Sequence, residues 1–122
     1  MLIENLYSVK KSTLINNKLD SIITINPNHK IFEGHFPNNP VLPGVVQLQI
    51  IKELLENELN KTLTLSKGTN IKYTSMVVPN KNNELKITAD LQIIDNTIKV
   101  NSIIQNNNSI FLKFKGVYTE AN

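Results

Sequence analysis

Helical periodicity occurs in one long segment of this chain, residues 44–60, and it narrows the possible folds more than any other feature. Apolar side chains recur there at spacings of three and four: Leu48, Ile50, Ile51, Leu54, Leu55 and Leu59. Pro43 stands where the first turn begins, a favoured position for proline. The broad apolar stripe predicts a largely buried helix. The opposite side is predicted to be a solvated polar stripe: Gln49, Lys52, Glu53 and Glu56.

The rest of the chain has the patterning of strands. Apolar and polar residues alternate over 85–93, which predicts a strand with one buried face. Strands are also predicted over 98–104 and 110–118, after turns at Asp95-Asn96 and 106–108.

Three earlier or intervening segments complete the predicted sheet. Residues 21–26 and 70–78 read as strands, and residues 10–19 as a short strand with a turn at Asn16-Asn17. One helix and five or six antiparallel strands predict an α+β fold in which a sheet covers a helix. A length of 122 residues leaves room for a single domain, residues 1–122.

Composition excludes several classes of site. The chain has no cysteine, and its two histidines, His29 and His35, are too few for three imidazole metal ligands. All 13 basic residues are lysines and they are scattered, so no nucleic-acid partner is expected. No apolar run approaches the ~20 residues that span a bilayer, and Glu4 interrupts the apolar start. We therefore expect a cytoplasmic protein without membrane insertion.

Periodicity fails between residues 26 and 44, a stretch with four prolines and two glycines. Loops beyond ~12–15 residues without secondary structure are often functional. Four apolar side chains predict that this loop is ordered: Phe32, Phe36, Val41 and Leu42. His29 is predicted to be a turn residue and Glu33 a surface residue.

Residues 34–45 read Gly-His-Phe-Pro-Asn-Asn-Pro-Val-Leu-Pro-Gly-Val. This segment resembles the motif Gly-His-Phe-Pro-x-x-Pro-Val-x-Pro-Gly-Val of the (3R)-hydroxyacyl-acyl-carrier-protein dehydratases, with all nine fixed positions present. Residues 71–79 resemble a later strand of that family less closely. The resemblance covers essentially the whole chain. It implies the hotdog fold, a curled antiparallel sheet wrapped around one long central helix.

The resemblance also implies roles for four residues. His35 would be the base that removes the α-proton of a 3-hydroxyacyl thioester, since imidazole exchanges protons near neutral pH. The backbone N–H of Gly44, at the start of the helix, would polarise the thioester carbonyl. Phe36 and Val45 are predicted to anchor the loop and to line the acyl tunnel.

The sequence departs from the family at the helix acid. The dehydratases carry Glu or Asp fourteen residues after the histidine, where this chain has Gln49. A carboxamide cannot donate a proton to the leaving hydroxyl, although it can hold the hydroxyl by hydrogen bonds. A general acid contributes ~10²–10⁴ in rate, so its loss is large but need not abolish activity. Glu53, ~6 Å further along the helix axis, is expected to be solvated and not to replace the acid.

Three outcomes stay open. His35 acts as both base and acid while Gln49 orients the substrate. Alternatively, the chain pairs with a related subunit that supplies a carboxylate, since the family's dimers combine the histidine of one subunit with the helix acid of the other. In the third case, the chain binds acyl thioesters without transforming them.

The leading expectation is an enzyme, a hydro-lyase. It would dehydrate (3R)-3-hydroxyacyl thioesters on acyl carrier protein to trans-2-enoyl thioesters in fatty-acid, polyene or polyketide-like lipid synthesis. No metal or bound organic cofactor is expected, because the phosphopantetheine of the carrier protein presents the substrate. The expected assembly is a homodimer or higher homo-oligomer, or a heterodimer with a related hotdog subunit. An acyl thioesterase is less favoured, because that reaction also needs a helix carboxylate or its equivalent.

Overall fold

The computed structural model describes residues 4–34 and 38–121. It contains six strands, a long helix and a short helix. In chain order these are β1 (Tyr7–Ile15), β2 (Lys18–Ile25), α1 (Ile31–Gly34), α2 (Gly44–Leu59), β3 (Leu63–Tyr73), β4 (Glu84–Ile94), β5 (Thr97–Gln105) and β6 (Ile110–Glu120). No helix in the described ranges is long and apolar enough to cross a membrane.

The six strands form one antiparallel sheet in the order β1-β2-β4-β5-β6-β3. Alternate residues of the inner strands are buried, and their side chains form one core with the buried face of α2. This α+β arrangement of a sheet around one long helix is the hotdog fold predicted from the sequence.

The predicted hairpin turns are confirmed. Asn16 and Asn17 both have positive φ, 53° and 61°, between β1 and β2. Asp95, between β4 and β5, has φ 53°. Asparagine and aspartate tolerate this left-handed backbone better than other residues with a side chain, so two-residue turns form here.

The buried face of α2 differs from the predicted stripe. Its buried residues are Val46, Gln47, Ile50, Ile51, Glu53, Leu54 and Leu55. Leu48 and Leu59 are only partly buried, so the face is rotated from the one expected. The prediction that Glu53 is solvated is wrong, since its exposed fraction is 9%. The helix ends at Asn60, whose left-handed conformation (φ 54°) lets its N–H bond the carbonyl of Glu56.

Two other segments differ from the prediction. The third strand covers Leu63–Tyr73 and not 70–78. It is an edge strand exposed on both faces after Leu63, so it lacks the alternation that reveals the inner strands. The loop before α2 contains α1, which begins where the His29 Nδ1 accepts a hydrogen bond from the N–H of Ile31 (3.0 Å).

Candidate active site

The start of α2 presents backbone donors that the helix itself does not use. Pro43 precedes the helix and provides no side-chain cap, and its carbonyl accepts the N–H groups of Val46 and Gln47, both at 3.1 Å. Among the described residues, the N–H groups of Gly44 and Val45 have no acceptor, as is usual in a first turn. The positive end of the helix dipole adds to their attraction for a negative or carbonyl oxygen.

Gly44 is required for the packing at this point. A Cβ atom built on it would lie 2.5 Å from the Cζ of Tyr73, which is shorter than a van der Waals contact. The missing side chain therefore allows the ring of Tyr73, at the end of β3, to lie against the first turn of α2.

A pocket of about 280 Å³ opens beside this turn. Its lining is mostly apolar and includes the ring that packs on the helix start: Val41, Leu42, Pro43, Gly44, Gln47, Tyr73, Ser75 and Met76. The pocket suits a short apolar chain that carries a carbonyl group, because the unused N–H donors of the helix adjoin its wall.

Gln47 is a polar residue of this pocket that was not predicted from the sequence as a site residue. It is 3% exposed, and its Nε2 donates to the carbonyl of Leu42 at 3.2 Å. Its Oε1 is buried and has no hydrogen-bond partner in the part of the chain that the structure describes. The sequence held a signal for this residue, because Gln47 precedes Ile50 and Ile51 by three and four positions and so shares their apolar face.

Gln49 belongs to a different arrangement. Its Nε2 donates to Glu53 Oε2 at 3.0 Å, and the hydroxyl of Tyr7 donates to Glu53 Oε1 at 2.8 Å. A carboxylate only accepts hydrogen bonds, so the amide of Gln49 is oriented with its nitrogen toward Glu53. Burial, together with the hydrogen bond to Glu53 and its charge, raises the pKa of Tyr7 well above its usual value of 10.

Gln49 lines a second pocket, of about 240 Å³, against the β3 edge of the sheet. Its walls are Val45, Leu48, Gln49, Lys52, Thr64, Leu65 and Tyr118. None of the described residues lines both this pocket and the one beside Gly44. Within one chain, Gly44 and Gln49 therefore face different pockets.

The structure brings only part of the predicted site into view. His35 and Phe36 lie outside the described residues. Val45 is 75% exposed, so it is not packed within its own chain. The roles of His35, Phe36, Gly44, Val45 and Gln49 stay predictions.

Comparison with known proteins gives a consistent family. A family model described as "ApeI-like: ApeI dehydratase" matches residues 11–114. A curated relative, the 3-hydroxyacyl-(acyl-carrier-protein) dehydratase FabZ of Rickettsia bellii, is 29% identical over 85 residues, covering 63% of this chain and 59% of the relative. The chain spans between 27% and 59% of the length of the first curated relatives it matches.

Solved structures share the fold. One, described as the dehydratase heterocomplex ApeI:P from Xenorhabdus doucetiae, has a TM-score of 0.74 at 17% identity and covers 92% of this chain and 96% of its own. Another, described as the putative thioesterase yhdA from Lactococcus lactis, has a TM-score of 0.68 at 8% identity and covers 97% and 94%. These similarities confirm the hotdog architecture.

Proposed function

Because this chain belongs to the ApeI-like dehydratase family, we propose that it dehydrates (3R)-3-hydroxyacyl thioesters on acyl carrier protein to trans-2-enoyl thioesters. The observation that carries the proposal is the apolar pocket beside the unused N–H donors at the start of α2. A thioester carbonyl placed there is polarised, and its α-proton becomes more acidic.

The proposed reaction needs one base and one proton donor. His35 removes the α-proton while the Gly44 N–H stabilises the enolate oxygen that forms. The electron pair of the enolate then forms the C2–C3 double bond, and the C3–O bond breaks. The leaving hydroxyl takes the proton that His35 acquired and departs as water. No metal or bound organic cofactor enters this scheme.

The separation of the two pockets supports a shared site in a dimer. Gly44 and Gln49 of one chain face different pockets, so a complete site would combine the His35 and Gly44 half of one chain with the Gln49 half of another. The edge strand β3 pairs only with β6 in the sheet. Several large apolar side chains on or near this edge are exposed, as expected of a surface that a second hotdog chain covers: Val45, Leu65, Ile71, Tyr73 and Met76.

A second candidate function is that of one subunit in a dehydratase heterodimer with a related hotdog protein. Gln49 favours it, because an amide at the acid position leaves both sites of a homodimer without the helix proton donor. The ApeI:P structure is itself described as a dehydratase heterocomplex. In this case the related subunit supplies the carboxylate to the His35 half of this chain.

An enoyl-thioester hydration assay, followed by ultraviolet absorbance, tests the proposal on the purified chain. We expect turnover that is lost in His35→Ala and rises by about 10- to 100-fold in Gln49→Glu, because a carboxyl group restores a proton donor. Gln92→Glu, a change at an exposed position, is the matched control and should leave the rate unchanged.

The other outcomes are distinct. No activity alone, followed by activity when a related subunit is added, favours the paired subunit. Release of free thiol from a saturated acyl thioester indicates thioesterase activity and contradicts the dehydratase proposal. No turnover under any of these conditions also contradicts it.

A further inference from the structure

We propose that Gln47 is a substrate-binding residue whose side-chain carbonyl oxygen accepts a hydrogen bond from the 3-hydroxyl of the acyl chain. This inference rests on the proposed dehydratase function and adds to it the group that recognises the hydroxyl. It begins from the Oε1 of Gln47, which is buried and has no hydrogen-bond partner within residues 4–34 and 38–121. Buried polar atoms in proteins nearly always have a partner, so such an atom in a pocket wall calls for a ligand that donates.

The orientation of the amide is fixed by its neighbours. The Nε2 of Gln47 donates to the carbonyl of Leu42, and the N–H of Leu42 donates to the carbonyl of Val77 at 2.9 Å. Rotating the amide by 180° would set two carbonyl oxygens against each other, because Oε1 would replace Nε2 beside Leu42. In this orientation the atom of Gln47 that lacks a partner among the described residues, its Oε1, is an acceptor.

The pocket then presents donors and an acceptor one helical turn apart. Gly44 and Gln47 are three residues apart, about 4.5 Å along the helix axis. A 3-hydroxyacyl thioester has the matching pair, since its C1 carbonyl accepts and its C3 hydroxyl donates. The apolar lining suits the carbon chain between and beyond these groups.

Access to the oxygen requires a movement of the pocket wall. The Oε1 exposes less than 1 Å² to solvent, so a ligand reaches it only when the side chains around it move. Tyr73 and Met76, which are 49% and 72% exposed, are the lining side chains with most freedom to move. Binding of the hydroxyl would thus pair a buried acceptor, and the enoyl product, which has no hydroxyl, would leave it unpaired.

Binding of unreactive analogues tests the inference. In these ligands an amide replaces the thioester of an acyl-pantetheine, so the carbonyl remains but the α-proton is not removed. Three acyl chains are compared by calorimetry: 3-hydroxy, 3-fluoro and unsubstituted. We expect the hydroxy analogue to bind about 3- to 10-fold more tightly than the other two, the equivalent of one hydrogen bond, because fluorine cannot donate.

Gln47→Met keeps the size of the side chain and removes the acceptor, so it should abolish this preference while the unsubstituted analogue binds as before. Gln92→Met, at an exposed position, should keep the preference. The side-chain ¹³Cδ resonance of Gln47 in the unaltered protein gives a readout that does not depend on folding of the variant. It should shift with the hydroxy analogue only.

Each alternative result is decisive. Equal binding of the hydroxy and unsubstituted analogues overturns the role of Gln47 but leaves the dehydratase proposal intact. A preference that persists in Gln47→Met, or a ¹³Cδ resonance that does not respond, assigns the hydroxyl to another group and overturns the inference. Failure to bind any analogue, combined with absence of turnover, contradicts the proposed function instead.

Discussion

At the scale of single residues, Gly44 combines two roles that a substitution can separate. Its N–H is predicted to polarise the substrate, and its missing side chain accommodates the ring of Tyr73. Gly44→Ala retains the N–H but places a Cβ 2.5 Å from the Tyr73 Cζ, so the ring has to move. Tyr73 is about half exposed and can move. The substitution should therefore change the shape of the pocket more than the free energy of unfolding.

We therefore expect Gly44→Ala to lower kcat/KM by about 10- to 100-fold, because small displacements in a site have effects of this size. The unfolding midpoint should change little. The double variant Gly44→Ala/Tyr73→Ala removes the clash. Its kcat/KM should therefore be higher than the value obtained by multiplying the fold-losses of the two single variants. Strictly multiplicative effects in the steady-state kinetics would show that the contact has no influence on the site.

Residue-level prediction from the sequence failed where distant residues set the environment. Glu53 lies on the polar side of the predicted helix, yet it is buried and accepts a hydrogen bond from Tyr7, 46 positions earlier. A local sequence pattern cannot reveal the contact between Glu53 and Tyr7. The burial of Gln47 could have been predicted from the sequence, since the helical spacing places this polar residue within an apolar face.

At the scale of elements, the sequence predicted α2 and the inner strands because each has one buried and one exposed face. Strand β3 was misplaced because its residues after Leu63 are exposed on both sides. Its position is set by pairing with β6, for example Ile71 opposite Phe114, and such pairing is not encoded in a local pattern. The same strand carries Tyr73 to the pocket, so this wall of the candidate site was beyond local prediction, although the position of Gly44 at the helix start was predicted.

The β3–β6 pair contains a position that should tolerate no side chain. A Cβ on Gly116 would overlap the Cζ of buried Phe114 and would lie 3.0 Å from the backbone oxygen of Lys67. We expect Gly116→Ala to lower the free energy of unfolding by about 1–3 kcal/mol, the usual effect of overpacking. Urea denaturation measures this change.

Gly68, the cross-strand partner of Gly116, provides the control. Among the described residues, a Cβ there meets the side chain of Ile71 alone, with Cδ1 at 3.3 Å and Cγ1 at 3.9 Å, and that side chain is 40% exposed. Gly68→Ala should change stability by less than about 0.5 kcal/mol. Equal losses in the two variants would contradict the packing explanation.

At the scale of the whole molecule, Tyr118 is expected to make the free energy of unfolding fall as the pH rises in the alkaline range. Burial, and to a smaller extent the charge of Glu56, raises the pKa of Tyr118 well above its usual value of 10. The unfolded chain loses this proton near pH 10 while the folded chain keeps it. The contribution of Tyr118 to stability is therefore intact below pH 10 and falls as the pH rises above it.

We expect the free energy of unfolding to fall above pH 10 by about 1.4 kcal/mol per pH unit more in the unaltered protein than in Tyr118→Phe. Urea denaturation between pH 9 and 12 measures both slopes. Tyr73→Phe should reduce the slope less, because Tyr73 is about half exposed and burial raises its pKa to a smaller extent. Parallel curves for Tyr118→Phe and the unaltered protein would contradict this prediction.

The strand order also has a consequence for how the chain acquires its structure during synthesis. Strand β3 leaves the ribosome before β4 and β5, but its neighbour in the described sheet is β6, the last of these six strands to be made. The nascent chain therefore carries β3 without a hydrogen-bonding neighbour until residues 110–120 emerge. Because Tyr73 reaches the start of α2 from the end of β3, the pocket is completed only when translation has passed the sixth strand.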